Sequence, residues 1–143
     1  MAAPETRLTP REPAGAEAVK ASAKRIAPRL KVLAPEAEQS RRLTREGIDL
    51  VRHHGLFKIL QPERSGGHQL TLRTHLDVVS ALSEGCVSTG WVVGVAHARS
   101  WLIGHMSRQA QDDIYASNPN AFVAVVVGPP RGGPLSVPMV HFN

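Results

Sequence analysis

Between Val19 and Ala37 the aliphatic side chains of this chain return every three or four positions: Val19, Ala23, Ile26, Leu30, Leu33 and Ala37. That spacing follows the 3.6-residue turn of an α-helix, so all six share one side, with Lys20, Lys24, Arg25 and Arg29 outside the stripe. An apolar stripe of this kind has to be covered, which commits the chain to helices packed in layers. Pro28 and Pro35 each remove a backbone donor and crowd the preceding turn. They predict a kink or a break into two helices, with Pro35 suited to the first position of the second.

The rest of the chain continues in short helical pieces. Thr44 is suited to cap a helix bearing Ile48, Leu50 and Val51, and Gly55 stands where a left-handed stop is needed. Leu56 to Leu60 then read as an apolar extended segment ending at Gln61-Pro62, and Gly66-Gly67 as a tight reversal. Leu72, Leu76, Val79 and Leu82 form the next stripe, broken near Gly85. Ser88 or Thr89 is placed to cap a helix that is apolar nearly all round from Trp91 to Ala96, which predicts a central, buried element. Ser107 caps a last short helix over Arg108 to Ala116. After Asn118-Pro119-Asn120 the pattern changes to Ala121-Phe122-Val123-Ala124-Val125-Val126-Val127, a β-branched run that predicts a buried strand. The expected division is a tail over 1–14, a helical domain over 15–118 and the opening of a β domain over 119–143.

Composition narrows the function classes. Only 4% of the residues are aromatic, so aliphatic side chains and alanine must fill the core. Residues 1–64 carry 13 basic and 8 acidic side chains, and the remainder carries 4 of each, so the whole net charge of +5 sits in the front half. That excess could steer an acidic partner such as nucleic acid, a phosphorylated cofactor or an anionic substrate, although solvated helix faces are the more usual account of it. Cys86 is the only cysteine, which rules out an internal disulfide. The prolines and charges near the start do not fit a signal peptide, and no apolar run reaches the ~20 residues of a membrane span. The expected location is the cytoplasm.

The usual catalytic constellations are missing. His97 and His105 stand eight apart, about 12 Å along a helix and too far to share one ion, and no third ligand completes a metal site. There is no GxGxxG or Walker loop, Ser88 has no nucleophile elbow, and Cys86 reads as a small core residue. A basic helical module that binds nucleic acid or protein, suggested by LTREGIDLVRHHG, would need an exposed reading helix after Gly55, where the chain is apolar instead. Nucleic acid is therefore not the expected partner.

In combination, HGLFKILQPERSGG, then a helix, then CVSTGWVVGVAHARSW, SRQAQDDIY and a buried run resemble the N-terminal domain of acyl-CoA-dehydrogenase-fold flavin monooxygenases. The resemblance covers roughly residues 20–130. It implies a mainly α fold, the helical N-terminal domain of the acyl-CoA dehydrogenase fold followed by the first strand of a truncated β domain. It further implies the oxygenase component of a two-component hydroxylase acting on an aromatic or steroid-type small molecule. Such a protein takes reduced FMN or FAD from a flavin reductase and assembles as a homotetramer.

On that resemblance Ser88, Thr89 and Trp91 would face the flavin, and Trp91, Val95 and Arg99 would line the substrate pocket. The family commonly places a histidine two residues before the second tryptophan. Here that position holds Arg99, a poor proton acceptor but a good partner for an anion, so no catalytic set is complete in this chain. The expectation is therefore a shortened or frameshifted version of such an enzyme, or a deliberately cut one, inactive alone. A true acyl-CoA dehydrogenase, oxidising thioesters with FAD, is the alternative enzyme reading.

Overall fold

The computed structural model describes residues 15–124, which form five α-helices and one 3₁₀ turn. They are α1 (Ala16–Ser40), α2 (Arg45–His53), α3 (Leu72–Gly85), α4 (Val87–Gly104) and α5 (Arg108–Tyr115), with the 3₁₀ turn at Glu63–Ser65 between α2 and α3. The mainly helical class expected from the apolar spacing is what the structure has. Of the expected strand, Ala121–Ala124 form no strand, and Val125, Val126 and Val127 lie outside the described residues. None of the described helices is long and apolar enough to cross a membrane.

The α1 stripe is buried as its spacing requires: Val19, Ala23, Ile26, Leu30 and Ala37 are all in the interior, and Leu33 is half-buried. The expected break does not occur, because α1 runs unbroken through Pro28 and Pro35. Both prolines lie on the exposed side. There the carbonyls of Lys24 and Lys31, left without a proline donor, can tilt toward water, and burial of the stripe on the other side holds the helix together across them.

Three threonine and serine hydroxyls start helices by accepting a backbone N–H of the first turn. Thr44 accepts from Gly47 at 3.0 Å, Thr71 from Thr74 at 3.2 Å and Ser107 from Ala110 at 3.3 Å. Gly55 and Gly66 take the positive φ expected of them, 66° and 78°. α4 departs from expectation: it begins at Val87 without a side-chain cap, so neither Ser88 nor Thr89 performs that role. Residue Cys86 (φ −150°, ψ 110°) alone joins it to α3, and the chain has turned before either hydroxyl is reached.

α3 lies between α1 and α4, and two glycines set how closely the three approach. A Cβ on Gly85 would stand 2.2 Å from the Ala27 carbonyl oxygen of α1, and one on Gly90 of α4 would stand 1.9 Å from the Ser83 hydroxyl of α3. The face of α3 that fills the interior is Thr74, Val78, Ala81 and Leu82. This corrects the expected stripe, since Leu72 and Leu76 are exposed and only Leu82 of that set is fully buried. The buried face is rotated about a third of a turn from the expected one, at ~100° per residue, and takes in Thr74 and Ala81, which the stripe did not include.

Leu56 to Leu60 do not form an extended segment but a series of turns that push Leu56, Ile59 and Leu60 into the core beside Val51. The turns are fastened by Leu70 N–H to the Ile59 carbonyl at 2.8 Å and by Gln61, whose amide donates to Ser65 O at 2.6 Å and Pro119 O at 3.0 Å. Arg64 reaches from the 3₁₀ turn to Gln111 at 3.1 Å and Asp112 at 2.7 Å, tying α5 down.

The glycine contacts make a direct prediction for stability. Gly85→Ala should lower the free energy of urea unfolding by about 1–3 kcal/mol through overpacking against the α1 backbone. Gly94→Ala, whose new methyl would meet Val79 at an ordinary 3.6 Å, should raise it by about 0.5–1 kcal/mol through helix propensity. Effects of the same sign in both would contradict the close α1–α3 approach.

Candidate functional site

α4 has two unlike sides. Its inner side, formed by Thr89, Gly90, Val93, Ala96, His97 and Ile103, is buried against the rest of the chain. Its outer side carries Val87, Trp91, Ala98, Trp101 and Leu102, with Trp91 72% and Trp101 53% exposed. The expectation of an all-round buried helix is therefore corrected. The sequence is apolar on both sides, but these residues cover only one, and an apolar stripe runs the ~27 Å length of the helix open to solvent.

His97 anchors the inner side. Its Nε2 lies 2.6 Å from the Leu56 carbonyl oxygen and its Nδ1 lies 2.8 Å from Nδ1 of His75 on α3. A carbonyl only accepts, which assigns the His97 proton to Nε2, leaves Nδ1 as acceptor and makes His75 Nδ1 the donor. The His97 ring is thus neutral in this arrangement, while His75 donates from Nδ1 in either of its protonation states. Burial pushes the His97 pKa down to about 4, opposed by the hydrogen bond to Leu56 and reinforced by the positive charge His75 and His68 can carry. Burial likewise lowers the pKa of His75. This pair was not legible in the sequence, because its members are 22 residues apart on separate helices.

The residues expected to serve a flavin or substrate divide between the two sides. Trp91, Val95 and Arg99 follow at four-residue intervals, so they form one line along the outer side, with Val95 and Arg99 half-buried. Ser88 is exposed next to that line. Thr89 points the other way and is only 3% exposed. Cys86 is a buried free thiol, in keeping with a core role. Among the described residues no three metal-ligating side chains converge. The outer line offers a flat apolar wall with one hydroxyl and one guanidinium, and the described residues place no second wall opposite it. A ring system the size of a flavin could rest on this side, but these residues alone do not enclose one.

Residues 14–117 match the sequence family described as acyl-CoA dehydrogenase, N-terminal domain. The chain belongs to that family. Among its relatives, the oxygenase subunit HsaA of a flavin-dependent monooxygenase from Rhodococcus jostii is 29% identical over 76% of this chain and 28% of its own length. The oxygenase component of the FADH2-dependent resorcinol hydroxylase from a Rhizobium species is 33% identical, over 63% of this chain and 22% of that protein. The oxygenase component of p-hydroxyphenylacetate 3-hydroxylase from Acinetobacter baumannii is 31% identical over 73% and 25%. The solved structure of the 3-HSA hydroxylase from Rhodococcus sp. RHA1 superposes with a TM-score of 0.69 at 29% identity, covering 72% of this chain and 27% of that one. HsaA from Mycobacterium tuberculosis gives 0.70 at 28% identity, over 73% and 28%.

This chain therefore spans about a quarter of the length of the relatives it matches, and the matched part is the acyl-CoA dehydrogenase N-terminal domain. The five helices described above are the expected helices of that domain.

The His97 geometry sets a pH dependence. Its folded pKa of about 4 lies below the usual 6.5, so the unfolded state binds the proton more readily. The stabilisation is complete above pH 6.5 and is lost as pH falls through the window from 6.5 to about 4, amounting to about 3 kcal/mol. Urea unfolding at a series of pH values should show this slope, and His97→Leu should flatten it while losing about 1–3 kcal/mol at pH 7 from the unpaired Leu56 carbonyl. A slope unchanged in His97→Leu would assign the acid sensitivity elsewhere.

Proposed function

We propose that this chain is the helical front layer of a reduced-flavin monooxygenase that hydroxylates an aromatic or steroid-type substrate. The observation that carries the reading is the open apolar side of α4, on which Trp91, Val95 and Arg99 stand in line within a fold shared with oxygenase components. Residues 15–118 act as the helical domain, and 119–143 lead into a β domain.

In this reading Trp91 and Val95 form a water-excluding wall for the reaction, and Ser88 offers a hydroxyl at its edge. Thr89 lies on the buried inner side of α4, away from that wall. Arg99 meets an anionic group of the substrate, taking a place where a proton-accepting histidine would suit a neutral phenol. A bound reduced FMN or FAD, supplied by a separate reductase, would provide the electrons that activate oxygen. The chemistry of this chain is to position, to exclude water and to pair with negative charge. The complete assembly is a homotetramer in the cytoplasm.

The family description also suggests a thioester dehydrogenase, and one experiment separates the two. Residues 15–118 would replace the matching segment of the Acinetobacter baumannii hydroxylase, and the folded chimera would be mixed with reduced FMN or FAD and, separately, in the oxidised state with an acyl-CoA. Binding of reduced flavin with oxygen-dependent hydroxylation is expected. Reduction of bound flavin by the acyl-CoA instead would favour the dehydrogenase, and a folded chimera that binds no reduced flavin would remove both readings.

In the same chimera Arg99→Ala should raise KM for a carboxylate-bearing phenol about tenfold, the loss of one charge-assisted contact, and change KM for an uncharged phenol little. Equal effects on both substrates would show that Arg99 supports the fold and does not select charge.

A further inference from the structure

On the side of α4 opposite Trp91 there is a small open cleft of about 40 Å³. Ala96 and Ser100 form its floor, the turn after α2 forms one wall, and residues 120–123 form the other. Phe57 and Phe122 meet edge to face across it at 5.6 Å, which fixes the spacing of the two walls. Two cations line the same space, Arg52 at the end of α2 and Lys58 in the following turn, and the neutral hydrogen-bonding groups of Ser100 and Asn120 share it.

The charges there are poorly compensated within the described residues. The Lys58 ammonium has a long 3.4 Å contact with the Gly66 carbonyl and no carboxylate partner among the described residues, and partial burial of the side chain lowers its pKa. Arg52 has Asp49 at 3.9 Å, the limit of an ion pair, with both side chains about half exposed. Two cations lining one cleft, neither closely paired with a carboxylate, favour an anion that can approach both. Both residues belong to the front half, whose five surplus positive charges the reading above leaves without a role.

We propose that this cleft binds a small oxyanion, a phosphate or carboxylate group, through Arg52 and Lys58. The cleft is small and open to solvent, so it admits a terminal anionic group and leaves the rest of the carrier molecule in solvent. It is distinct from the outer side of α4 and stands whether or not the monooxygenase reading holds.

The test is thermal unfolding of the 143-residue chain with increasing inorganic phosphate, and in parallel with acetate, at ionic strength held constant with sodium chloride. The expected result is a saturable rise in Tm with at least one of them, the phosphate arm or the acetate arm identifying the group. Half-saturation should weaken about tenfold in Lys58→Met and in Arg52→Met and vanish in the double variant, with Lys24→Met on the exposed side of α1 as an unaffected control. No saturable rise with either anion, or a rise that survives in the double variant, would overturn the proposal. If a variant does not fold, amide NMR of the unaltered chain decides: phosphate- or acetate-dependent shifts confined to Gly55, Phe57, Ser100 and Ala121 support the site, and shifts spread along α1 overturn it.

Discussion

The hydrogen bond from His97 to the Leu56 carbonyl ties together three parts of the molecule that share one apolar core. α4 brings the donor, the turns after α2 bring the acceptor, and His75 of α3 closes the other end of the ring. In a dry interior each of these polar groups would be costly alone, and satisfied together they define one register between the helices. The apolar packing around them, Val51, Leu56, Ile59, Val78, Leu82 and Val93, is less directional and would tolerate slippage. The polar pair therefore orients α4, and with it the side that Trp91 occupies.

The fold was largely readable where one physical rule dominates. The α1 stripe and the caps at Thr44, Thr71 and Ser107 depend on local spacing and on backbone donors that need partners, and Thr44 and Ser107 were identified from sequence for that reason. The misreadings came where tertiary packing outweighs local preference. Pro28 and Pro35 argue for a break, but they fall on the solvent side of a stripe whose burial spans both. Leu72 and Leu76 outrank Thr74 and Ala81 by hydrophobicity, yet the face of α3 turned inward is the one that carries Thr74, Val78, Ala81 and Leu82. Leu56, Ile59 and Leu60 signalled burial correctly, while the backbone path that buries them is a matter of turns that a run of apolar letters does not encode.

The candidate site was legible to a different degree. The spacing of Trp91, Val95 and Arg99 on one line follows from helical periodicity alone. That this line faces outward does not, because α4 is apolar on both sides and composition cannot choose between them. The choice is made by Gly90, which lets the helix settle against Ser83, and by His97, which needs the interior partners it finds. The matched part of the chain corresponds to only about a quarter of each relative's length.

The single residue between α3 and α4 has a mechanical consequence. With Cys86 buried and extended, and Gly85 pressed on the α1 carbonyl, the corner has no slack in which to hinge. A load placed on the tryptophan side of α4 would pass around that elbow into α1 as a displacement of the whole helical stack, so whatever docks there addresses a rigid plate and not a movable flap.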